Sequence, residues 1–362
     1  MTPTLLVQVA YVGSQGHRLL ATHDLNYSNP QTCLDLDQIY LANGGITEDC
    51  GPFAEDSSFY LDANTIPAGM TLHLPYGSAP LVTGPNPSPI SLVGLRKYSS
   101  PFCQPTTGAG CPPDGIPVFN SIFAEDTIAN SNYNSLQVQV EKRFSRGMQF
   151  QASYTFSKSF DEASSFENVL NPLDIRRSYA LSLFDSRNRL VFSYVWELPI
   201  PKKHGLAGKI ANGWAVSGIT TFQSGFPIRI TSSDDLELMN SFDFEYPGEP
   251  NIVKPFRTIN PRGPNNLFFD PSTFQPQALG TIGGAPRSVC CGPGINNFDV
   301  GVHKETRLSE RTRLEFRAEF FNFVNHAQFV TPDGNISDGG DFGRIMQARD
   351  PRLVQFALKL FF

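Results

Sequence analysis

The chain has 362 residues, a formal charge of −6, and only 17% charged residues. Phe (30), Gly (30) and Pro (29) are abundant, which suits many strands separated by turns and loops. No basic patch points to nucleic acid, and no apolar run reaches the roughly 18 residues of a transmembrane helix. That last absence does not exclude a barrel, whose strands cross in about 10 residues with only alternate positions apolar.

Met1-Thr-Pro-Thr-Leu-Leu-Val lacks the basic region and cleavage site of a signal peptide. The sequence enters a strand pattern almost at once, which reads as the start of a fragment. Nine segments then alternate with period two, the signature of strands. The first two are Leu5–Val12 and Leu19–Asn26, joined by a turn at Gly13–Gly16. Residues 27–132 read as one long loop, with ten prolines between Pro75 and Pro117 and a short helix near Leu34–Leu41. Such a segment is not expected to build a large core, but to cap a barrel mouth.

Residues 133–362 carry the clearest strands. Leu136, Val138 and Val140 alternate with Gln137, Gln139, Glu141 and Arg143. Met148, Phe150, Ala152, Tyr154 and Phe156 alternate with glutamines, serines and a threonine. Leu190, Phe192, Tyr194 and Trp196 oppose Arg187, Arg189, Ser193 and Glu197. Trp214–Gln223 and Asn297–Glu305 are weaker. In Arg311–Phe320 one face is Arg311, Arg313, Glu315, Arg317 and Glu319, and the other is almost wholly apolar. Leu353–Phe362 closes the series.

Connections alternate in length. Ser145–Gly147 and Leu308–Glu310 are short, Pro199–Gly213 is medium, and residues 27–132, 161–185, 224–294 and 324–350 are long. Short turns at one end and long loops at the other describe an outer-membrane barrel with periplasmic turns and extracellular loops. A soluble domain rarely tolerates several long irregular loops. The fold class expected is therefore all-β: an antiparallel transmembrane β-barrel portion of about nine strands, incomplete, with long extracellular loops. Its localisation is the bacterial outer membrane. Trp196 and Trp214 would flank a periplasmic turn, where indoles favour the interface.

Several stretches resemble the C-terminal barrel of TonB-dependent outer-membrane receptors of the Oar-like group: Tyr133-Asn-Ser-Leu-Gln-Val-Gln-Val-Glu-Lys-Arg-Phe144, Gly213-Trp-Ala-Val-Ser-Gly218, Thr221-Phe-Gln-Ser-Gly-Phe-Pro227, Phe316-Arg-Ala-Glu-Phe-Phe-Asn-Phe-Val-Asn-His326 and Gln355-Phe-Ala-Leu-Lys-Leu-Phe-Phe362. The resemblance implies a receptor that binds and imports a large or scarce solute. It also implies energy from the inner-membrane TonB complex, acting through an N-terminal plug absent from this chain. The alternative is a free-standing surface adhesin or structural barrel.

Four groups of residues are candidates. Phe356, Leu358, Leu360 and Phe362 resemble the terminal-strand signal read by the barrel assembly machinery, and an apolar edge strand can be read by β-augmentation. Glu141, Arg143, Arg187, Arg189, Arg311, Arg313, Glu315, Arg317 and Glu319 would face the lumen, where a self-satisfying charge network is the simpler role. The acidic loops, Asp234, Asp235, Glu237, Asp243, Glu245 and Glu249 in one and Asp333, Asn335, Asp338 and Asp341 in another, are expected to be solvated rather than ligating. Six cysteines fall in loops assigned to the oxidising side. Cys33–Cys50 and Cys103–Cys111 are the simplest local disulfides, and Cys290 and Cys291 are adjacent. No nucleophile elbow, phosphate loop or metal-ligand spacing is present, so neither catalysis nor a cofactor is expected.

Overall fold

The structure is a computed structural model of the whole chain, and it describes residues 4–46, 50–61, 66–75, 81–82, 90–98, 119–165, 169–201, 203–239 and 246–362. Eight long strands dominate it: β1 (Leu5–Asp24), β2 (Phe123–Ser145), β3 (Met148–Asp161), β4 (Asn188–Glu197), β5 (Trp214–Gln223), β6 (Ile295–Arg307), β7 (Arg313–Phe321) and β8 (Leu353–Phe361). Each pairs antiparallel with its neighbour in chain order, from β1 at one edge to β8 at the other. Among the described residues β1 and β8 do not pair with each other, so the sheet is an open wall. Two short segments extend it at the loop end. Val169–Leu170 runs parallel to Thr22–His23, and Ala180–Leu181 pairs with Phe160–Asp161.

The strand count differs from the nine expected. Gly13–Gly16 is not a turn: Gly13 pairs with Asn134 and Gly16 with Ser131, and one strand continues to Asp24. Its register shifts only around Leu19, next to Arg18 at φ 55°. A local Gly-Ser-Gln-Gly composition signals a turn, but the long partner β2 supplies a ladder that overrides it. That partner starts at Phe123, so the loop ends earlier than residue 132. At 20 residues, β1 is about 66 Å long, well beyond the roughly 10 residues a tilted crossing needs. The upper β1–β2 hairpin therefore stands clear of the bilayer.

Register carries the two faces intact across the wall. Gln139, Ser153, Val191, Thr221 and Asn297 lie in one row; Val138, Tyr154, Leu190, Phe222 and Asn296 lie in the row beside it on the other face. One surface is thus Gln, Ser, Thr, Asn and charge. The other is Val9, Leu136, Phe150, Phe192, Val216, Phe316 and Phe356. Side chains of this second surface are left uncovered by protein: Val9, Tyr11, Phe356 and Leu358 are each about two-thirds exposed. An apolar face this wide, left bare, is a lipid face. Lys142 and Lys304 sit on it near the short-turn end and Lys158 near the loop end, where long stems can carry charge to the interface.

Turn chemistry fixes the short-turn end. Arg146 (φ 52°) and Gly147 (φ 76°) place two left-handed residues between Ser145 and Met148, the tight-hairpin geometry that matches strand twist. A Cβ on Gly147 would also lie 3.1 Å from the Glu197 carbonyl oxygen. Leu308–Thr312 makes a second tight turn. Residues 198–213 make the third, and they contain helix α2 (Gly205–Ala211).

The core lies at the opposite end. Residues 25–122, 162–187, 224–294 and 322–352 are the four long connections, here the first to fourth loops. Helix α1 (Pro30–Ala42) opens the first loop, with Asn29 capping Gln31 N at 3.1 Å and Pro30 in the first turn. Its Cys33, Leu36 and Ile39 pack with Phe59, Leu72, Leu95 and, from the third loop, Leu238. A second cluster joins Ile228, Phe268, Phe269 and Phe274 of the third loop to Phe342 and Ile345 of the fourth. The expectation that the first loop could not support a large core is corrected. The first loop supplies every buried member of the first cluster except Leu238, and smaller shared clusters join the second loop to the third and the third to the fourth.

Candidate functional site

The wall's polar face carries most of the charge of the strands. Within β7, Arg313, Glu315, Arg317 and Glu319 share this face and meet Phe361, Lys359, Ala357 and Gln355 of β8. They are partnered among themselves and with neighbouring strands. Arg317 Nε contacts Glu315, Gln355 donates to Glu319, and Arg313 lies 3.7 Å from Glu305 and 4.3 Å over the Phe361 ring. Arg143 lies 3.9 Å from Glu141, and His303 Nε2 meets Ser217 Oγ at 2.7 Å. Arg189 is on the same face, in register with Thr155 and Gln223. Two of the nine charged residues fall outside the strands. Arg187 precedes β4, its carbonyl accepting Ser157 N, and Arg311 lies in the turn before β7. Against this face lies a cavity of about 610 Å³ whose lining includes Glu141, Gln151, Ser193, Ser217, Asp299 and Glu319. Carboxylates and hydroxyls share this lining with aromatic and aliphatic side chains such as Phe150, Tyr194 and Phe320, so it can hold water and solutes of mixed polarity, with Arg143 opposed by the Glu141 carboxylate two residues away.

Above the wall, the loops interlock through buried charge. Arg96, 3% exposed, bonds Asp56 at 2.7 Å, lies 3.5 Å from Glu55 and 3.8 Å from Asp24, and donates to Ser121 Oγ at 3.0 Å. It ties the first loop to the top of β1. Arg287 of the third loop pairs with Asp161 at the top of β3 and donates to the Ser178 carbonyl at 2.9 Å. Both partners are buried, where loss of one would leave the other's charge uncompensated.

The acidic segment of the third loop is where sequence reasoning fails most. Asp235 and Glu237 are fully buried and Glu249 nearly so; Asp243 and Glu245 lie outside the described residues. Asp235 accepts Phe53 N at 2.8 Å and Met239 N at 3.0 Å. Glu237 accepts Glu249 N at 2.9 Å and Gln277 Nε2 at 2.5 Å. These carboxylates do structural work that backbone amides demand. Nothing local in Ser-Ser-Asp-Asp-Leu-Glu announces it, because the partners lie up to 182 residues away. Burial, reinforced by the Asp235 carboxylate and opposed by Arg96, pushes Glu55 up to about 7. Burial likewise pushes Glu249 up to about 7 against Arg177, 3.8 Å distant.

In the fourth loop, Asp333 accepts Asn335 N at 2.8 Å, Asn335 accepts Ser337 N, and Asp341 lies 3.7 Å from Arg344. Those side chains cap their own turns. Among the described residues no group of three or more His, Cys, Asp or Glu is placed to hold a metal ion. Cys33 and Cys50 form a disulfide with Cα atoms 5.4 Å apart, inside the first-loop core. Cys290 and Cys291 are joined to each other. Cys103 and Cys111 lie outside the described residues.

At the chain's last strand, Phe356, Leu358 and Leu360 project from the apolar face, 69%, 67% and 55% exposed, and Phe362 is fully exposed beyond the strand. The outer edge of β8 has no partner strand among the described residues. Trp196 and Trp214 stand on the same apolar face at the short-turn end.

No curated protein matches the sequence. Among solved structures, the outer membrane transporter YddB from Escherichia coli is similar at 8% identity and a TM-score of 0.36, over 67% of this chain and 26% of that one. The chain thus spans about a quarter of that transporter's length. The model of the outer membrane beta barrel domain matches residues 1–355. With an antiparallel wall, a lipid face and loops gathered at one end, this chain belongs to the outer membrane beta barrel domain family.

Proposed function

We propose that the chain forms wall and cap of an Oar-like TonB-dependent receptor that binds a large or scarce solute outside the cell and imports it. The observation that carries this reading is the interlocked cap. Its four loops are held by shared apolar clusters and buried ion pairs, so they present an ordered mixed surface over a polar wall. Ordered loops on a rigid scaffold are how binding specificity is built, and pre-organisation lowers the entropy lost on capture. In this proposal an N-terminal plug couples the barrel to the inner-membrane TonB complex. The exposed apolar positions of β8, ending at Phe362, are read by the barrel assembly machinery through edge pairing.

The test is made in the native cell with the intact gene. Deleting it should abolish accumulation of a specific solute from a defined mixture, and deleting tonB in cells that retain it should abolish accumulation of the same solute. Normal accumulation of every solute, together with lost surface attachment, would instead identify an adhesin or structural barrel.

A further inference from the structure

Helix α2 has apolar side chains with nothing of the protein to cover them. Leu206 is 81% exposed and Ile210 72% exposed, and four-residue spacing puts both on one side of the helix. The loop that bears them is nonetheless firmly made. Asn212 closes it like a clasp, accepting Lys203 N at 3.1 Å and donating to Lys203 O at 2.9 Å. Gly208 lies where a Cβ would stand 2.2 Å from the Lys203 carbonyl oxygen, so the clasp can close only on glycine.

The side of the wall on which this loop sits is also fixed. Trp214 Nε1 donates to the Ile210 carbonyl at 2.9 Å. Lys304 donates to the Asn212 carbonyl and lies 5.6 Å over the Trp214 ring. Thr306 Oγ1 donates to the Lys209 carbonyl at 3.4 Å. By register Trp214, Lys304 and Thr306 all belong to the apolar face. The loop is therefore pinned to the outside of the wall at its periplasmic end, continuous with the lipid face. Lys203, His204 and Lys209 are exposed on it.

We propose that residues 203–212 are a membrane-docking element that seats Leu206 and Ile210 in the periplasmic leaflet of the outer membrane and meets anionic phospholipid headgroups with Lys203 and Lys209. Continuity with the lipid face selects a bilayer over a protein as occupant. Lys203 ahead of Leu206 and Lys209 between Leu206 and Ile210, both exposed, select anionic lipid, each contributing about fivefold in local affinity near an anionic surface.

Amide hydrogen exchange of the full chain, reconstituted in vesicles of phosphatidylcholine with or without phosphatidylglycerol, tests this. Amides of 205–211 should exchange at least tenfold more slowly in the phosphatidylglycerol vesicles, while β4 and β5 amides stay unchanged. The Lys203→Gln/Lys209→Gln variant should lose that lipid dependence, and Leu206→Asp/Ile210→Asp should lose protection in both vesicles. Equal exchange of 205–211 in the two vesicles for the unaltered chain overturns the proposal, whatever the variants do. So does protection that survives Leu206→Asp/Ile210→Asp.

Discussion

Asp235 accepts the Phe53 amide proton at 2.8 Å across 182 residues of sequence, and its other oxygen accepts Met239 N at 3.0 Å. One buried carboxylate thus closes a turn in the third loop and fastens that loop to the first. Asp235→Ala would leave the buried Met239 amide and the partly buried Phe53 amide without these acceptors, a loss of roughly 2–4 kcal/mol. Faster hydrogen exchange is expected at 53–55 and 236–239, with β-wall amides unaltered. Unchanged exchange at both segments would show that the loops are held by apolar packing alone.

Glu55 and Glu249 give the cap a pH dependence of definite sign. Each titrates at about 7 when folded, against 4.5 for a free glutamate. The folded cap therefore binds more protons between these values, and its stability falls as pH rises from about 4.5 to about 7, then levels. At about 1.4 kcal/mol per pH unit for each group, the combined change is roughly 7 kcal/mol at most. Cap protection by hydrogen exchange, corrected for intrinsic rates, should be greater at the acidic end of that window. Glu55→Gln should flatten its share of the slope.

Phe192 and Ser193 are adjacent but on opposite faces, between Ala152 and Thr220 and between Gln151 and Ile219 respectively. Phe192→Arg places a charge against lipid and should cost about 2–4 kcal/mol near mid-membrane. Ser193→Arg points the same group at the aqueous cavity and should cost far less. Urea unfolding in vesicles compares them directly; equal destabilisation would contradict the assignment of faces.

The Cys33–Cys50 disulfide closes a 17-residue separation, worth about 3 kcal/mol by loop entropy. Replacing both cysteines by serine should leave the strands folded and expose α1 to protease. A protease pattern identical to that of the unaltered chain would mean the Leu36–Ile39–Leu95 packing suffices.

Strands were legible because their information is local: Phe192 and Ser193, or Phe316 and Arg317, differ in the way a two-sided wall requires. Loop-length asymmetry likewise read directly as the two ends of a barrel. Where partners are distant, the sequence misled. Gly13–Gly16 has the composition of a turn, yet β2 draws it into a ladder. Asp235 and Glu237 look like solvated loop acids, yet Phe53 and Gln277 bury them. Asp24, Glu55 and Asp56 mean little until Arg96 stands among them.

The length of β1 and β2 has a consequence for what the cell shows its surroundings. Roughly half of β1 is not needed to cross hydrocarbon, and at about 3.3 Å per residue the remainder reaches well past the headgroups. A phage, antibody or neighbouring cell would therefore meet a stiff β-ribbon, with His23 bonded to Asp126 at 2.9 Å and Ala21 packed on Ala129 and Leu170. That makes the upper hairpin a conformational epitope, and linear peptides copied from residues 17–24 would be poor immunogens for it.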